Sequence, residues 1–551
     1  MGRGTHELKL ILRALTIDFN NPELTRLGLA RIGVSFANWC FSIALGVYGF
    51  QSHGAVGVGL VAVVRLLPGA LASPFAGLLS DRHPRRFVMF WSSLAMSAVL
   101  AAAAAAAAMG APSAVVFVFP ALFAVASSGY GPAESALSPI LARTPQELSA
   151  GNVTHSALDT AGFLLAALFT GFLLASTSTA LVFGAAAAAA LLAAIALTGV
   201  APDRRPEYED DEDEIAGVVH ELGLGLRALR VHPGMRLAAV VMAALVFFEG
   251  FADVLLVVMA LHLLHLEEGS VGFLNAAWGI GVLAGGAALA LLLDRGRLVI
   301  AIACGSVAAG LAAMLPGLWP VVAVAYVAWA GAGAGYNFAE VAAKTLLQRL
   351  SSDETLGRVL SALESGRLAA MALGSIGATI TVSLLDERGA LIVLGALLPV
   401  FVVLCWARLR SFEVGAPAAE EHYRLLRESS IFAPLPIDTV ERLSHDLVAV
   451  DVASTTDVIV QGEVGDRFYL IERGQVEVFE DGVFRRNEGP GESFGEIALL
   501  RDVPRTATVR TTEETRLLAL ERDSFLAAVT GHRRSRQLAH GVVDDRWPGK
   551  A

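Results

Sequence analysis

The sequence predicts two unlike parts: an all-α polytopic membrane body, followed by a small α+β domain. Three observations carry this. Apolar runs recur from Arg26 to Arg410 with short polar breaks, and a hydrocarbon core of about 30 Å takes roughly 20 apolar residues per helix. Of 551 residues, 55% are hydrophobic and only 17% charged, and mean hydropathy is +0.60, whereas an ordinary soluble domain is about a quarter charged. From about Ser411 the composition turns polar and short alternating segments are punctuated by glycine, which is how a β domain reads.

About twelve apolar runs are long enough to span. They fall at 28–50, 55–79, 87–109, 113–142, 151–175, 178–200, 236–264, 269–293, 297–315, 318–347, 355–384 and 389–410. The breaks after the first, third, fifth, seventh and ninth runs carry no Arg or Lys. The alternate breaks carry Arg82, Arg85, Arg86, Arg143, Arg204, Arg205, Arg295, Arg297, Arg349 and Arg358. Positive charge marks the cytoplasmic side, so both termini and the polar tail are expected in the cytoplasm. The N-terminal residues, with Arg3, Glu7, Lys9, Arg13 and Asp18, lack the apolar stretch of a cleaved leader. The expectation is therefore that the first span does the targeting. Lysine occurs only at Lys9, Lys344 and Lys550, and Ala and Gly are abundant. That bias suggests a GC-rich bacterial genome and a bacterial cytoplasmic membrane.

Other totals exclude classes. The net charge is −11 without a basic stripe in the tail, a poor match to nucleic acid. Cys40, Cys304 and Cys405 are scattered through apolar segments, unlike a disulfide or zinc framework. No Walker, nucleophile-elbow or metal-ligand spacing is present, and His83, His155 and His262 are dispersed, so neither an enzyme nor a metal site is expected.

The longest internal break divides the spans six and six and holds an acidic run from Glu207 to Glu214, the pattern of a solvated linker. The domain plan is a cytoplasmic segment 1–25, a six-helix half 26–200, a central loop 201–235, a second half 236–410 and a soluble domain 411–551. The halves echo one another. Gly129-Tyr130-x-x-Ala133-Glu134-x-Ala136 in the fourth run matches Gly335-Tyr336-x-x-Ala339-Glu340-x-Ala342 in the tenth. Internal repeats with a site between them are a common transporter plan.

Between the second and third runs stands Gly77-Leu-Leu-Ser-Asp81-Arg82-His-Pro-Arg85-Arg86, with a degraded copy, Asp294-Arg295-Gly-Arg297, between the eighth and ninth. Here the sequence resembles the major facilitator superfamily, whose signature loop is Gly-x-x-x-Asp-Arg-x-x-Arg-Arg/Lys at that position. The resemblance implies that Gly77, Asp81, Arg82, Arg85 and Arg86 form a gating loop, and that the first, fourth, seventh and tenth spans line a central cavity. Charges within a bilayer are costly and by default functional. The candidates for transport and proton coupling are Glu249, Asp253, Glu340, Glu134 and Arg65. Glu249 and Asp253 are spaced i, i+4 on one helical face, and two close carboxylates suit proton exchange. Structural pairings are the alternative: Glu134 with Arg85, Arg86 or Arg143, Arg65 with Asp159, Glu340 with Lys344, and Glu364 with Arg367. The Gly-Pro pair of the family's drug exporters is absent from the fifth run, which leaves direction open.

The tail from about Glu420 reads as a helix, a turn, and strands around Asp457–Gly462, Arg467–Gly474 and Gln475–Gly482, a small barrel or jelly roll. Then comes Phe494-Gly495-Glu496-Ile497-Ala498-Leu-Leu, followed by Pro504-Arg505-Thr506-Ala507-Thr-Val. A helix opening at Glu496 offers free N–H groups to a phosphate, Arg505 binds it by charge-assisted hydrogen bonds, and Glu496 accepts from a ribose 2′-hydroxyl. The segment resembles the phosphate-binding cassette of cyclic nucleotide-binding domains. That implies a pocket of Phe494, Gly495, Glu496, Ile497, Ala498, Arg505, Thr506 and Ala507. Thr506 is similar to cGMP-responsive members as well as to many bacterial ones, which leaves the base open; cAMP is taken as the leading ligand and cGMP as the other. Trp547 is a candidate cap for the purine.

Taken together, the expectation is a secondary active transporter in a lipid bilayer, with an unknown small-molecule substrate, regulated by cAMP. The alternative is a membrane receptor for cyclic nucleotides on a transporter-like body that moves no solute. Oligomeric state, including a dimer, is left open.

Overall fold

The structure, a computed structural model, describes residues 21–142, 144–201, 203, 223, 227, 229–230, 233–292, 298–350, 353–411, 416–429, 431–531 and 533–546. The acidic run 207–214, Arg143, Arg204, Arg205, the degraded loop copy at 294–297 and Trp547 lie outside the described residues. So do the surroundings of Gly77 and the side chains of Asp81, Arg349, Arg358 and Glu364. The chain divides into two compact units, Met1–Arg410 and Ser411–Ala551.

The first unit is helical throughout its described residues: α1 (Pro22–Arg82), α2 (Arg85–Ala108), α3 (Ser113–Val116), α4 (Phe119–Ser128), α5 (Tyr130–Leu141), α6 (Pro145–Ser176), α7 (Thr179–Thr198), α8 (Pro233–Val258), α9 (Gly269–Leu292), α10 (Leu298–Leu318), α11 (Val322–Leu350) and α12 (Asp353–Ser411). Local chemistry sets the starts. Asn21 caps α1 by accepting from the Glu23 N–H, with Pro22 at the first helical position. Thr144 does the same for α6, accepting from the Glu147 N–H at 3.1 Å with Pro145 behind it, as a capping residue followed by proline should.

Nine helices among the described residues are long and apolar enough to cross a membrane, where the sequence predicted about twelve runs. The difference has a physical origin. The run 22–72 is 51 residues long and breaks inside α1 at His53 and Gly54, while 366–410 is 45 residues long and breaks inside α12 at Asp386. At 1.5 Å per residue each extends roughly 70 Å, more than one crossing. α11 falls outside the nine; glycine, Tyr336 and Asn337 dilute its apolar stretch.

Small residues let the helices approach. A Cβ on Gly272 of α9 would stand 2.4 Å from the backbone nitrogen of Gly171 on α6, and Phe172 packs edge-on against Phe273 at 5.1 Å. At that same end the Gln51 amide donates to Glu268 and His262 pairs with Glu387 at 2.7 Å, beside a π-helical turn, Met259–Leu263, that closes α8.

The second unit is a two-sheet β-sandwich with flanking helices: α13 (Ala416–Glu428), α14 (Ile437–Asp446), β1 (Val448–Val452), β2 (Asp457–Ile459), β3 (Arg467–Arg473), β4 (Val476–Glu480), β5 (Val483–Glu488), β6 (Ser493–Phe494), α15 (Glu496–Arg501), β7 (Thr508–Thr511), β8 (Thr515–Glu521), α16 (Arg522–Gly531) and α17 (Arg533–Arg546). The sheets have strand orders β1-β8-β3-β6 and β2-β7-β4-β5, and every pairing is antiparallel. Alternate residues of a strand face opposite sides, so β3 sends Phe468 and Leu470 inward to meet Phe432 from the turn between α13 and α14, Leu518 from β8 and Phe525 from α16. Phe468 stacks on Phe525 at 4.8 Å. A second layer, with Ile459, Ile471, Val478, Phe494, Val509 and Leu517, lies under the loop that carries the site.

Candidate functional site

The cassette residues meet around one open cavity. Phe494, Gly495, Glu496, Ile497, Ala498, Arg505, Thr506 and Ala507 all line it, joined by Ile459, Val478, Arg486 and Val509. The turn into α15 requires glycine. Gly495 has φ +91°, and a Cβ there would lie 2.7 Å from Arg505 Nη1, so the residue supplies both a left-handed backbone and the space in which the guanidinium sits. Arg505, 5% exposed, donates from Nη1 to the Gly495 carbonyl at 2.9 Å and from Nη2 to the Arg467 carbonyl at 2.7 Å. Asp466 is 3.6 Å away. Burial pushes the Arg505 guanidinium below the ordinary arginine range, opposed by the field of Tyr469, Asp466 and Glu496. These bonds fix the fork against the cavity wall, the geometry that suits a phosphate.

Glu496 is buried. Its Oε1 accepts from Arg546 Nη1 at 2.8 Å, and its Oε2 is buried without a partner among the described residues. The same guanidinium donates to the Ser493 carbonyl at 2.6 Å and lies 3.3 Å from Glu488 Oε1. Glu488 also takes Arg486 Nε at 2.9 Å. Two buried carboxylates and two arginines thus link β5, the cassette and the last described helix. Burial pushes Glu488 above the usual carboxylate range, against the pull of Arg546 and Arg486. Arg546, although burial works against its charge, is held above the ordinary arginine range by Glu496 and Glu488.

Arg486, Arg546 and Glu488 were not expected. Arg486 and Glu488 share one face of β5 at i, i+2, a signal that alternation carries. Arg546 stands fifty residues after Glu496, at the end of a later helix, and no local pattern marks it.

In the membrane unit the candidates form two groups. Glu249 accepts from the Tyr336 hydroxyl at 2.8 Å. Arg65 sits in the field of Asp253, Arg367 and Glu249, and Glu340 in that of Tyr336. Asp253 is the one exposed residue between Gly250 and Ala260. The second group is built on Glu134, and it corrects two expected pairings. Glu134 bridges Arg31 at 2.6 Å and His155 at 3.4 Å, not Arg85 or Arg86. Asp159 lies 3.3 Å from Arg31, not paired with Arg65. The reason is helix phase: residues 31, 134 and 159 come from α1, α5 and α6 at one level of the bundle, which sequence distance does not report. At the predicted gating loop, the Asp203 carboxylate accepts from the Arg85 and Arg86 N–H groups at 2.7 and 3.2 Å, satisfying the first turn of α2. Arg86 Nη2 also donates to the Thr198 carbonyl, and Arg82 ends α1.

Comparison with known proteins agrees with the two-part reading. Residues 416–532 match the cyclic nucleotide-binding domain family and residues 27–259 the Major Facilitator Superfamily. A cAMP-dependent protein kinase regulatory subunit of Yarrowia lipolytica is 36% identical over 115 residues, covering 21% of this chain and 31% of that protein. The chain thus spans about a third of that relative's length. Among solved structures, the regulatory domain of Toxoplasma gondii PKA with cAMP is 32% identical over 20% of this chain and 44% of that one, at TM-score 0.19. The Thermus thermophilus catabolite activator protein is 28% identical over 21% and 58%, at TM-score 0.20. At TM-scores this low neither structural likeness carries an argument.

Proposed function

We propose that this chain, which joins a major facilitator segment to a C-terminal cyclic nucleotide-binding domain, is a secondary active transporter regulated by a cyclic nucleotide. The observation that carries the reading is the gathering of Glu496 and Arg505 at one cavity with an apolar wall of Ile459, Val478 and Val509. A cyclic nucleotide offers a phosphate monoanion to Arg505, a 2′-hydroxyl to Glu496 and a flat base to that wall. The kinase regulatory subunit named above supports cAMP as the ligand, with cGMP the other choice because Thr506 and Arg486 add donors to the cavity.

In the body, proton coupling is assigned to Glu249, Asp253, Glu340, Glu134 and Arg65, and gating to Gly77, Asp81, Arg82, Arg85 and Arg86. Counting each broken helix as two crossings and including α11 gives twelve spans, hence both termini on the same, cytoplasmic, side of a bacterial plasma membrane. Nucleotide biases transport only as far as it binds the two transport states unequally.

The test is solute and proton flux in proteoliposomes with and without cAMP or cGMP. Flux that changes with nucleotide in the wild type and not in Arg505→Ala is the expected result. Flux indifferent to both nucleotides would overturn the regulatory reading, and a body that moves no solute would leave a receptor.

A further inference from the structure

We propose that Glu488 decides which phosphate the cavity admits. By neutralising Arg486 it leaves Arg505 as the one cavity cation without a buried counter-charge, so a cyclic phosphodiester is accepted and a phosphomonoester such as 5′-AMP is rejected. The proposal rests on the cyclic nucleotide reading above and deepens it. Glu488 touches no ligand; it is a positioning residue that acts through Arg486.

The connections start on β5. Arg486 lines the cavity and donates from Nε to Glu488 Oε1 at 2.9 Å, two residues along the same strand face. Arg546 Nη2 lies 3.3 Å from that same oxygen, while its Nη1 donates to Glu496 Oε1 at 2.8 Å. Glu488 is 2% exposed and Glu496 1%, and buried carboxylates persist where cations match them. Two carboxylates and two guanidinium groups sum to zero. Arg505 stands outside this balance, because its fork is held by two backbone carbonyls, which carry no formal charge. Asp466, 3.6 Å away, is 73% exposed. Glu463 and Glu492, which act on Arg505 and Arg546 through their fields, are also exposed, so water screens all three. Among the described residues, the cavity therefore offers a ligand one net positive charge.

The unfilled acceptor at the site points the same way. Glu496 Oε2 is buried without a partner among the described residues, because Arg546 takes only the other oxygen. An ionised carboxylate oxygen accepts a hydroxyl and repels an anion. A cyclic phosphodiester carries one negative charge, which Arg505 meets. A phosphomonoester carries about −1.5 to −2 at pH 7, and its excess has no cation to meet and Glu496 to face. Rejection by an unmet charge is specificity of the repulsive kind, and it is independent of the base.

The experiment is equilibrium binding of labelled cAMP to the full-length protein in lipid nanodiscs, at about pH 7.5 where the monoester is mostly dianionic, with displacement by cAMP or 5′-AMP. Glu488→Gln keeps the shape and removes the charge. The preference for cAMP over 5′-AMP should fall about tenfold, the effect of one added unit charge roughly 10 Å away at an effective dielectric near 20. Arg486→Ala shifts the balance the other way, and the preference should rise. The double variant Glu488→Gln/Arg486→Ala is neutral again and should return the preference to the wild-type level, whereas a residue that only braced the fold would lower both affinities together without such rescue. A preference within about twofold of wild type in both single variants would overturn the proposal. Should Glu488→Gln not fold, Arg486→Ala decides by direction, and an unchanged or lower preference counts against it. Wild type that binds no cAMP would overturn the nucleotide reading itself, a failure that the wild-type titration shows separately.

Discussion

Replacing Arg546 with alanine tests whether the last described helix is tied to the cassette by charge. Its guanidinium is the hydrogen-bonding cation of Glu496, at 2.8 Å, and shares Glu488 with Arg486. Both carboxylates are almost fully enclosed, and each already has one buried oxygen without a partner among the described residues. Removing one member of a buried pair costs about 3–5 kcal/mol. The Arg546 side chain is 20% exposed, so water reaches the gap, and about 2 kcal/mol is the working figure. For a unit the size of Ser411–Ala551, that is a fall of roughly 5–10 °C in Tm.

The pH dependence follows from Glu488. Its folded pKa is raised by burial, so the stability tied to its protonated form is present at acid pH and lost as pH rises through the folded value. Without Arg546 the opposing cation is gone, the folded value rises further, and the penalty of ionising is larger. The variant should therefore lose more, relative to wild type, at neutral pH than near pH 4. Calorimetric or fluorescence melting of residues 411–551, which hold their own two-layer core, measures both. A loss below about 0.5 kcal/mol, the level of an ordinary surface substitution, or an equal loss at both pH values would refute the reasoning.

Three further outcomes follow from the same site. Gly495→Ala forces a side chain into a left-handed backbone and against Arg505 Nη1; nucleotide affinity should fall about tenfold or more, read by titration, for the roughly 1–3 kcal/mol such strain costs. Arg505→Lys keeps the charge but loses the fork that holds two carbonyls, so binding should weaken about ten- to a hundredfold, the value of one or two charge-assisted bonds, with the fold retained on melting. Arg486→Ala reports base choice: guanine presents two acceptors, O6 and N7, where adenine presents one acceptor and an amino group, so the substitution should weaken cGMP more than cAMP in a paired titration.

What could be read from the amino-acid order depended on how local each feature is. The cassette lies within sixteen residues, and its glycine, glutamate and arginine each stand where one turn and one strand bring them together, so its lining was legible. Arg546 was not, because a helix docking from outside the cassette delivers it. In the body, apolar length gave the spans, and the break expected between residues 50 and 55 falls at His53 and Gly54 inside α1. Pairings were the least legible. Arg31, near the start of a span, stood outside the candidate charges, yet it joins Glu134 and Asp159, because only helix phase and packing decide which faces meet.

The most direct measurement is calorimetric titration of cAMP and cGMP into residues 411–551, with Arg505→Ala as the control. Micromolar or tighter binding, about 8 kcal/mol or more, that disappears in the control is the result this account predicts. No heat with either nucleotide, or binding that Arg505→Ala leaves intact, would contradict it.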